Sequence, residues 1–264
     1  MINQESRKYN GYICSLLFLL SIPLIMQAQQ SGVLFNHYNN RNGLIMNNVE
    51  YIHIDMEGFV WLGTSAGLQR FDGYEFRDYI FDPGDTSSIS DNFISTIFED
   101  DSANIWVGTS VNGLNVFNKE LGSFRTFRHV PENKNSLVSN QIPRAKKVIT
   151  QDSEGYVWVN TNFGLNRIDL RDFSFESFYG DFSGQLVFDK SESALWIAGD
   201  QLKKFDLKST KLSYYESGPI TSIILDSEGD LWLGTESGAL IFNKSANELS
   251  LRGPKGRSNL HRHY

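Results

Sequence analysis

The sequence predicts an all-β fold, a β-propeller of four-stranded antiparallel blades with five repeats present, and three observations carry that expectation. Five tryptophans, Trp61, Trp106, Trp158, Trp196 and Trp232, stand at one place in a shared pattern. Their spacings of 45, 52, 38 and 36 residues match the length of one four-stranded blade. Aromatics reach 13% and 22 glycines far outnumber 6 prolines, which suits short strands joined by tight turns. A hydrophobic content of 40% against 21% charge excludes a disordered chain.

At the amino terminus, Arg7 and Lys8 precede an apolar run from Ile13 to Met26. Gln27-Ala28-Gln29-Gln30 then offers a small residue for cleavage after Ala28. The run of 14 residues suits a secretion signal and is short for a membrane span, so residues 1–28 read as a signal peptide. An uncleaved anchor is the alternative, because Met26 is a poor residue at the third site before the cut. The only cysteine, Cys14, lies inside this run, so the mature chain has no disulfide, thiolate metal site or cysteine nucleophile. Loss of Arg7, Lys8 and Glu5 leaves 22 basic against 30 acidic residues, a net charge of −8. Nucleic acid is therefore not an expected partner.

Residues 33–250 read as the propeller segment, with blades at about 47–79, 92–127, 142–178, 184–215 and 219–250. The first strand of each holds a β-branched residue nine positions before the tryptophan: Ile52, Ile97, Ile149, Val187 and Ile223. Asp55, Asp100, Asp152 and Asp226, six before the tryptophan, open a turn by bonding nearby backbone N–H groups. Gly58, Gly155 and Gly229 suit a left-handed position in that turn. The tryptophan strand follows, and Gly67, Gly113, Gly164 or Gly238 reverses the chain. Third strands carry Leu68/Phe71, Leu114/Phe117, Leu165/Ile168, Leu202/Phe205 and Ala239/Phe242. Fourth strands carry Phe76/Tyr79, Phe124/Phe127, Phe175/Phe178 and Leu212/Tyr215, with Glu248–Leu251 closing the fifth repeat. Such a sheet cannot bury both faces alone, so the five tryptophans are expected in the layers between blades. The fourth repeat lacks the aligned aspartate and has a turn one residue longer. Residues 33–39 look like a lone fourth strand, because Phe35 and Tyr38 repeat the spacing of Phe76 and Tyr79. Residues 251–264 form a tail without repeat character.

Motifs for hydrolase, kinase, zinc-protease and nucleotide chemistry are absent, and no cofactor is implied. His261 and His263 lie in the tail, and His53 alternates with Ile52 and Ile54 as a wall residue of an inner strand. The aspartates before each tryptophan recur with turn glycines, which makes them turn formers rather than paired catalytic carboxylates. Asp82-Pro83-Gly84-Asp85 has incomplete spacing for calcium and reads as a solvated turn. Topology places the longest loops, about 80–92 and 128–143, on one face of the propeller. That face displays Asn47, Asn48, Asn92, Asn112, Asn140, Gln141, Arg144 and Asn162. Amides with one arginine and nearby aromatics suit a hydroxyl-rich small molecule; the competing reading is that asparagines simply make good turns.

The blocks DMEGFVWLGT, DDSANIWVGT, DSEGYVWVNT and DSEGDLWLGT, with GLQRFD after the first, resemble the two-component regulator propeller repeat. The phrases NGLIMNNV, SSISDNFI and NSLVSNQI between repeats fit the same family. The resemblance implies the periplasmic sensor region of hybrid two-component regulators that detect carbohydrate breakdown products. It also implies seven blades, then a transmembrane helix, histidine kinase, receiver and DNA-binding output. Five blades being present, the expectation is an open arc of an incomplete seven-bladed propeller and a truncated reading frame; a five-bladed ring and a natural short protein are the alternatives. An open arc exposes strand edges and invites self-association. Two further readings stand beside the sensor: a propeller enzyme of lyase or glycosidase type, and an inert fragment.

Overall fold

A computed structural model describes residues 35–251; the expected signal peptide and residues 252–264 lie outside the described residues. Twenty strands form five separate four-stranded antiparallel sheets, each in simple sequence order. The first is β1 (Tyr51–Ile54), β2 (Val60–Gly63), β3 (Leu68–Phe71) and β4 (Phe76–Tyr79). The second is β5 (Ile94–Glu99), β6 (Ile105–Thr109), β7 (Leu114–Asn118) and β8 (Ser123–Phe127). The third is β9 (Ile149–Gln151), β10 (Val157–Thr161), β11 (Gly164–Ile168) and β12 (Phe175–Tyr179). The fourth is β13 (Gln185–Asp189), β14 (Ala194–Ala198), β15 (Leu202–Asp206) and β16 (Lys211–Tyr215). The fifth is β17 (Ser222–Leu225), β18 (Leu231–Thr235), β19 (Gly238–Asn243) and β20 (Glu248–Leu251).

One local circuit builds the turn between the first two strands of a blade. Asp55 Oδ1 accepts from the N–H groups of Glu57 and Phe59, at 3.0 and 2.9 Å, while Oδ2 accepts from the Trp61 indole at 2.8 Å. The same three bonds recur at Asp152 and Trp158 and at Asp226 and Trp232. The carboxylate thus ties a tight turn to the core side chain that follows, satisfying a buried indole donor that would otherwise cost about 1–3 kcal/mol. Gly58 supplies the left-handed residue at φ +89. The second blade makes the circuit through Asp100 and Trp106 but puts Ala103 in that place at φ 62.

The fourth blade departs from expectation. Its aspartate is not missing: Asp189, seven residues before Trp196, accepts the indole at 3.3 Å and holds Ser191 through Oδ1. The longer turn displaced the residue in sequence without displacing it in space.

The apolar layers lie between blades. Trp61 packs with Ile105, Val107, Phe117 and Phe124 of the next blade, and Trp158 with Leu186, Leu195, Ile197 and Phe205. Trp106 and Trp196 repeat the arrangement against the third and fifth blades. These four indoles are at most 1% exposed, whereas Trp232 of the fifth blade is half-buried. Each large, flat ring seals one sheet against its neighbour, the burial that a single small sheet lacks. The first strands β1, β5, β9, β13 and β17 are successive neighbours, so they form the inner wall. In the first and last blades that wall exposes Ile52, Ile54 and Ile224.

The lone strand expected at 33–39 is not seen in the described part of that range: residues 35–39 belong to no strand. Each sheet already has four strands from its own repeat, and Phe35 is 77% exposed. Without a ladder partner, aromatic spacing alone does not make a strand.

Candidate functional site

Strand direction assigns the turns β1–β2 and β3–β4, with their equivalents, to one face, and the long loops between blades to the other. On the loop face a polar residue directly after the third-strand leucine is buried in four blades: Gln69, Asn115, Asn166 and Lys203. Each reaches the loop that leads into its own blade. Gln69 donates to Gly43 O at 2.9 Å and accepts from the Ile45 N–H at 2.9 Å. Asn115 accepts from the Ser90 N–H at 3.0 Å, and Asn166 from the Val138 N–H at 2.9 Å. Lys203 donates to Asp181 at 2.6 Å and pairs with Asp200 at 2.9 Å. This contact holds Asp181 below the usual carboxylate range, through the Lys203 hydrogen bond first and the Ser183 hydroxyl second. These pinning residues were missed in the sequence, although their position after a repeated leucine was the available signal.

The eight residues expected on this face separate into two groups. Asn92, Asn140 and Asn47 close loops: their Oδ1 atoms accept from the N–H groups of Phe81, His129 and Asn40 at 2.7, 2.6 and 2.8 Å. Asn112 donates to Asp91 at 2.8 Å, and Asn162 donates to Gln141 Oε1 at 2.9 Å, tying the β6–β7 and β10–β11 turns to the loops beside them. For these six residues the turn-forming role is what the geometry displays. Asn48 and Arg144 instead converge on Glu50: Asn48 Nδ2 lies 3.5 Å from Oε1, and Arg144 pairs with Oε2.

Arg144 is the hinge of a cluster drawn from three blades. Its guanidinium lies 4.4 Å from the centroid of the Phe93 ring, a cation–π contact. Tyr51 stands beside it; burial raises the phenol above its ordinary pKa, against the opposing pull of the Arg144 charge. Beside this cluster β1, β5, β9 and β13 line an open cavity of about 810 Å³, with Tyr51, His53, Phe98, Lys146, Lys147 and Gln151 among its lining residues. His53 contacts Glu99 Oε2 at 3.4 Å and is engaged by the wall, as expected. His129 Nδ1 lies 2.7 Å from Leu137 O. Among the described residues no group of three His, Cys, Asp or Glu side chains could hold a metal ion. Asp82 and Asp85 accept from Gly84 and Ser87 within their own turns.

With this geometry in hand, the comparisons with known proteins fall into place. The family model described as Two component regulator propeller matches residues 214–237, from the end of the fourth blade through the Asp226–Trp232 turn. That stretch of the chain is similar to the two-component regulator propeller repeat. Histidine kinase P4 of Formosa agariphila is 33% identical over 78 residues, which are 30% of this chain and 6% of that protein. The extracellular domain assigned to the hybrid two component system BT3049 of B. thetaiotaomicron superposes with a TM-score of 0.71 at 24% identity, over 81% of this chain and 31% of that one. Virginiamycin B lyase from Staphylococcus aureus superposes with a TM-score of 0.54 at 17% identity, over 75% of this chain and 67% of the lyase. At these identities the two superpositions establish the propeller fold alone. The chain spans less than a third of the extracellular domain it matches and a small fraction of the kinase.

Proposed function

We infer that this chain is the ligand-binding segment of an exported sensor propeller, taking carbohydrate-derived small molecules and acting by binding rather than catalysis. The observation that carries this reading is the cavity lined by the first strands beside a pinned polar loop face, with Arg144 over the Phe93 ring and paired with the lining Glu50. Buried side chains fix the loops from below, so the face is preorganised and a ligand meets little ordering cost there. The match of residues 214–237 to the propeller-repeat model and the likeness to an extracellular domain of a two-component system support export to the periplasm and a place in two-component signalling. Exposed Ile52, Ile54 and Ile224 support membership of a larger, seven-bladed assembly in which further surface covers them; left bare, they favour self-association. In such an assembly, ligand affinity that differs between two blade arrangements would bias the output domain.

The lyase resemblance favours the enzyme reading only through shared fold, which does not carry chemistry. Both described histidines that bear on it, His53 and His129, are already engaged by Glu99 and by a backbone carbonyl.

A thermal-shift screen of neutral and charged oligosaccharides on the full chain tests the binding reading. A true ligand at about 100 times its Kd adds about 2.7 kcal/mol and raises Tm visibly. A folded protein whose Tm no saccharide moves rejects it.

A further inference from the structure

We propose that the axial cavity is an anion site for a carboxylate- or sulfate-bearing small molecule, and that Glu50 is the protein's own stand-in for that anion on Arg144. This deepens the sensor reading and rests on it. The whole chain is acidic, with a formal net charge of −7, yet Arg144-Ala145-Lys146-Lys147 places two cations on the cavity lining and a third beside it, paired with the lining Glu50. Lys146 and Lys147 line the cavity, and Glu50 is its one lining carboxylate among the described residues. Glu50 is already paired with Arg144, so the two lining lysines have no carboxylate partner on the lining, which a purely structural ion pair does not require.

The three cations are held differently. Lys146 has no hydrogen-bond or ion-pair partner among the described residues, so its ammonium is available. Lys147 takes a left-handed backbone at φ 60, a conformation that disfavours a side chain and marks a position constrained by its surroundings. Its carbonyl accepts from the Leu186 N–H at 2.6 Å, and its ammonium reaches only a neutral acceptor, Ile223 O, at 3.2 Å. Arg144 offers five donors in a rigid fork. Glu50 engages it from the first blade while the Phe93 ring contacts it from the second. An entering carboxylate or sulfate meets two lysines on the cavity lining and the Arg144 fork paired with the lining Glu50, a set of donors that favours such anions over neutral sugars.

Glu50 makes the site self-occupied. Its pair with Arg144 joins residues 94 apart and straps the first blade to the third. A ligand anion that takes Arg144 exchanges with Glu50 and releases the strap, converting binding into a change between blades.

The test is calorimetric titration of the full chain at constant ionic strength with tetragalacturonate, galactose 6-sulfate and neutral maltotetraose. We expect saturable binding of at least one anion, roughly tenfold or more above the neutral sugar. Lys146→Met with Lys147→Met is expected to weaken it roughly tenfold, and Glu50→Gln to tighten it several-fold, because the internal competitor loses its charge. Far-UV circular dichroism of each variant checks that the fold persists, and Glu50→Asp, which keeps the competitor's charge, should restore near wild-type affinity if Glu50→Gln alters packing. The proposal is overturned if neither anion binds, if the lysine variants bind as well as wild type, or if Glu50→Gln weakens binding. Binding of maltotetraose without anion binding removes this inference and leaves the sensor reading standing. Silence from every saccharide, here and in the thermal-shift screen, removes both.

Discussion

On the turn face, all five blades make one bond, from the indole N–H of the core tryptophan to an aspartate carboxylate. On the loop face, four blades meet one task, pinning a long loop, with a glutamine, two asparagines and a lysine. The first face is uniform because each bond serves the same sealed layer between sheets, so any departure is felt in the core. The second is diverse because a loop can be held by any buried donor or acceptor of suitable reach. Uniformity marks what the fold needs, and diversity marks where recognition has room to vary.

Removing a sealing ring is expected to produce the largest effect. Trp158→Ala, at a site 1% exposed, should cost about 3–5 kcal/mol in chemical denaturation. Half-buried Trp232→Ala should cost clearly less, and equal losses would break the idea that interior layers carry the stability. Next comes the turn itself. Asp100→Ala removes the acceptor of two backbone N–H groups and of the Trp106 indole, for an expected loss of about 2–4 kcal/mol.

Protonation asks the same question more gently. In Asp226, the Trp232 indole hydrogen bond, followed by the Asp230 N–H, lowers the carboxyl pKa. In Asp189, burial alone would raise it, but the Lys244 and Ser191 contacts outweigh that and the net shift is downward. Asp169 is lowered to about 2 by its hydrogen bond from Arg171. Folded values below the unfolded value of about 4 contribute stability that is present above pH 4 and lost as pH falls towards 2. Thermal unfolding between pH 5 and pH 2 should therefore show a falling Tm, and Asp226→Asn should flatten that fall.

On the loop face the effects are smaller and local. Asn115→Ala should cost about 1–3 kcal/mol and speed hydrogen exchange in the 80–92 loop, leaving the 128–143 loop as protected as before. Matching changes in both loops would show that the pins are not independent. The smallest effect tests strain on the turn face. Ala103→Gly places the freer residue at φ 62 and should raise stability by about 0.5–1 kcal/mol, seen as an upward Tm shift.

The blade count, strand order and sealing tryptophans are legible in the residues because each repeat is a local unit. Its turn, its strands and its core ring lie within one short stretch of chain. Even the fourth blade's aspartate was present in the text as Asp189, hidden only by a one-residue shift of register. The fate of the expected amides was less legible. Whether Asn92 closes a loop or faces a ligand depends on where the Phe81 N–H comes to lie, which spacing alone does not specify. The site needed three dimensions. Arg144, Glu50 and Phe93 belong to different blades, and only rotation of successive sheets about a shared axis brings them into one cluster. Repetition along the chain therefore determined the fold, while the meeting of residues 94 apart was decided by tertiary packing, since no local period records which side chains will face one another across the axis.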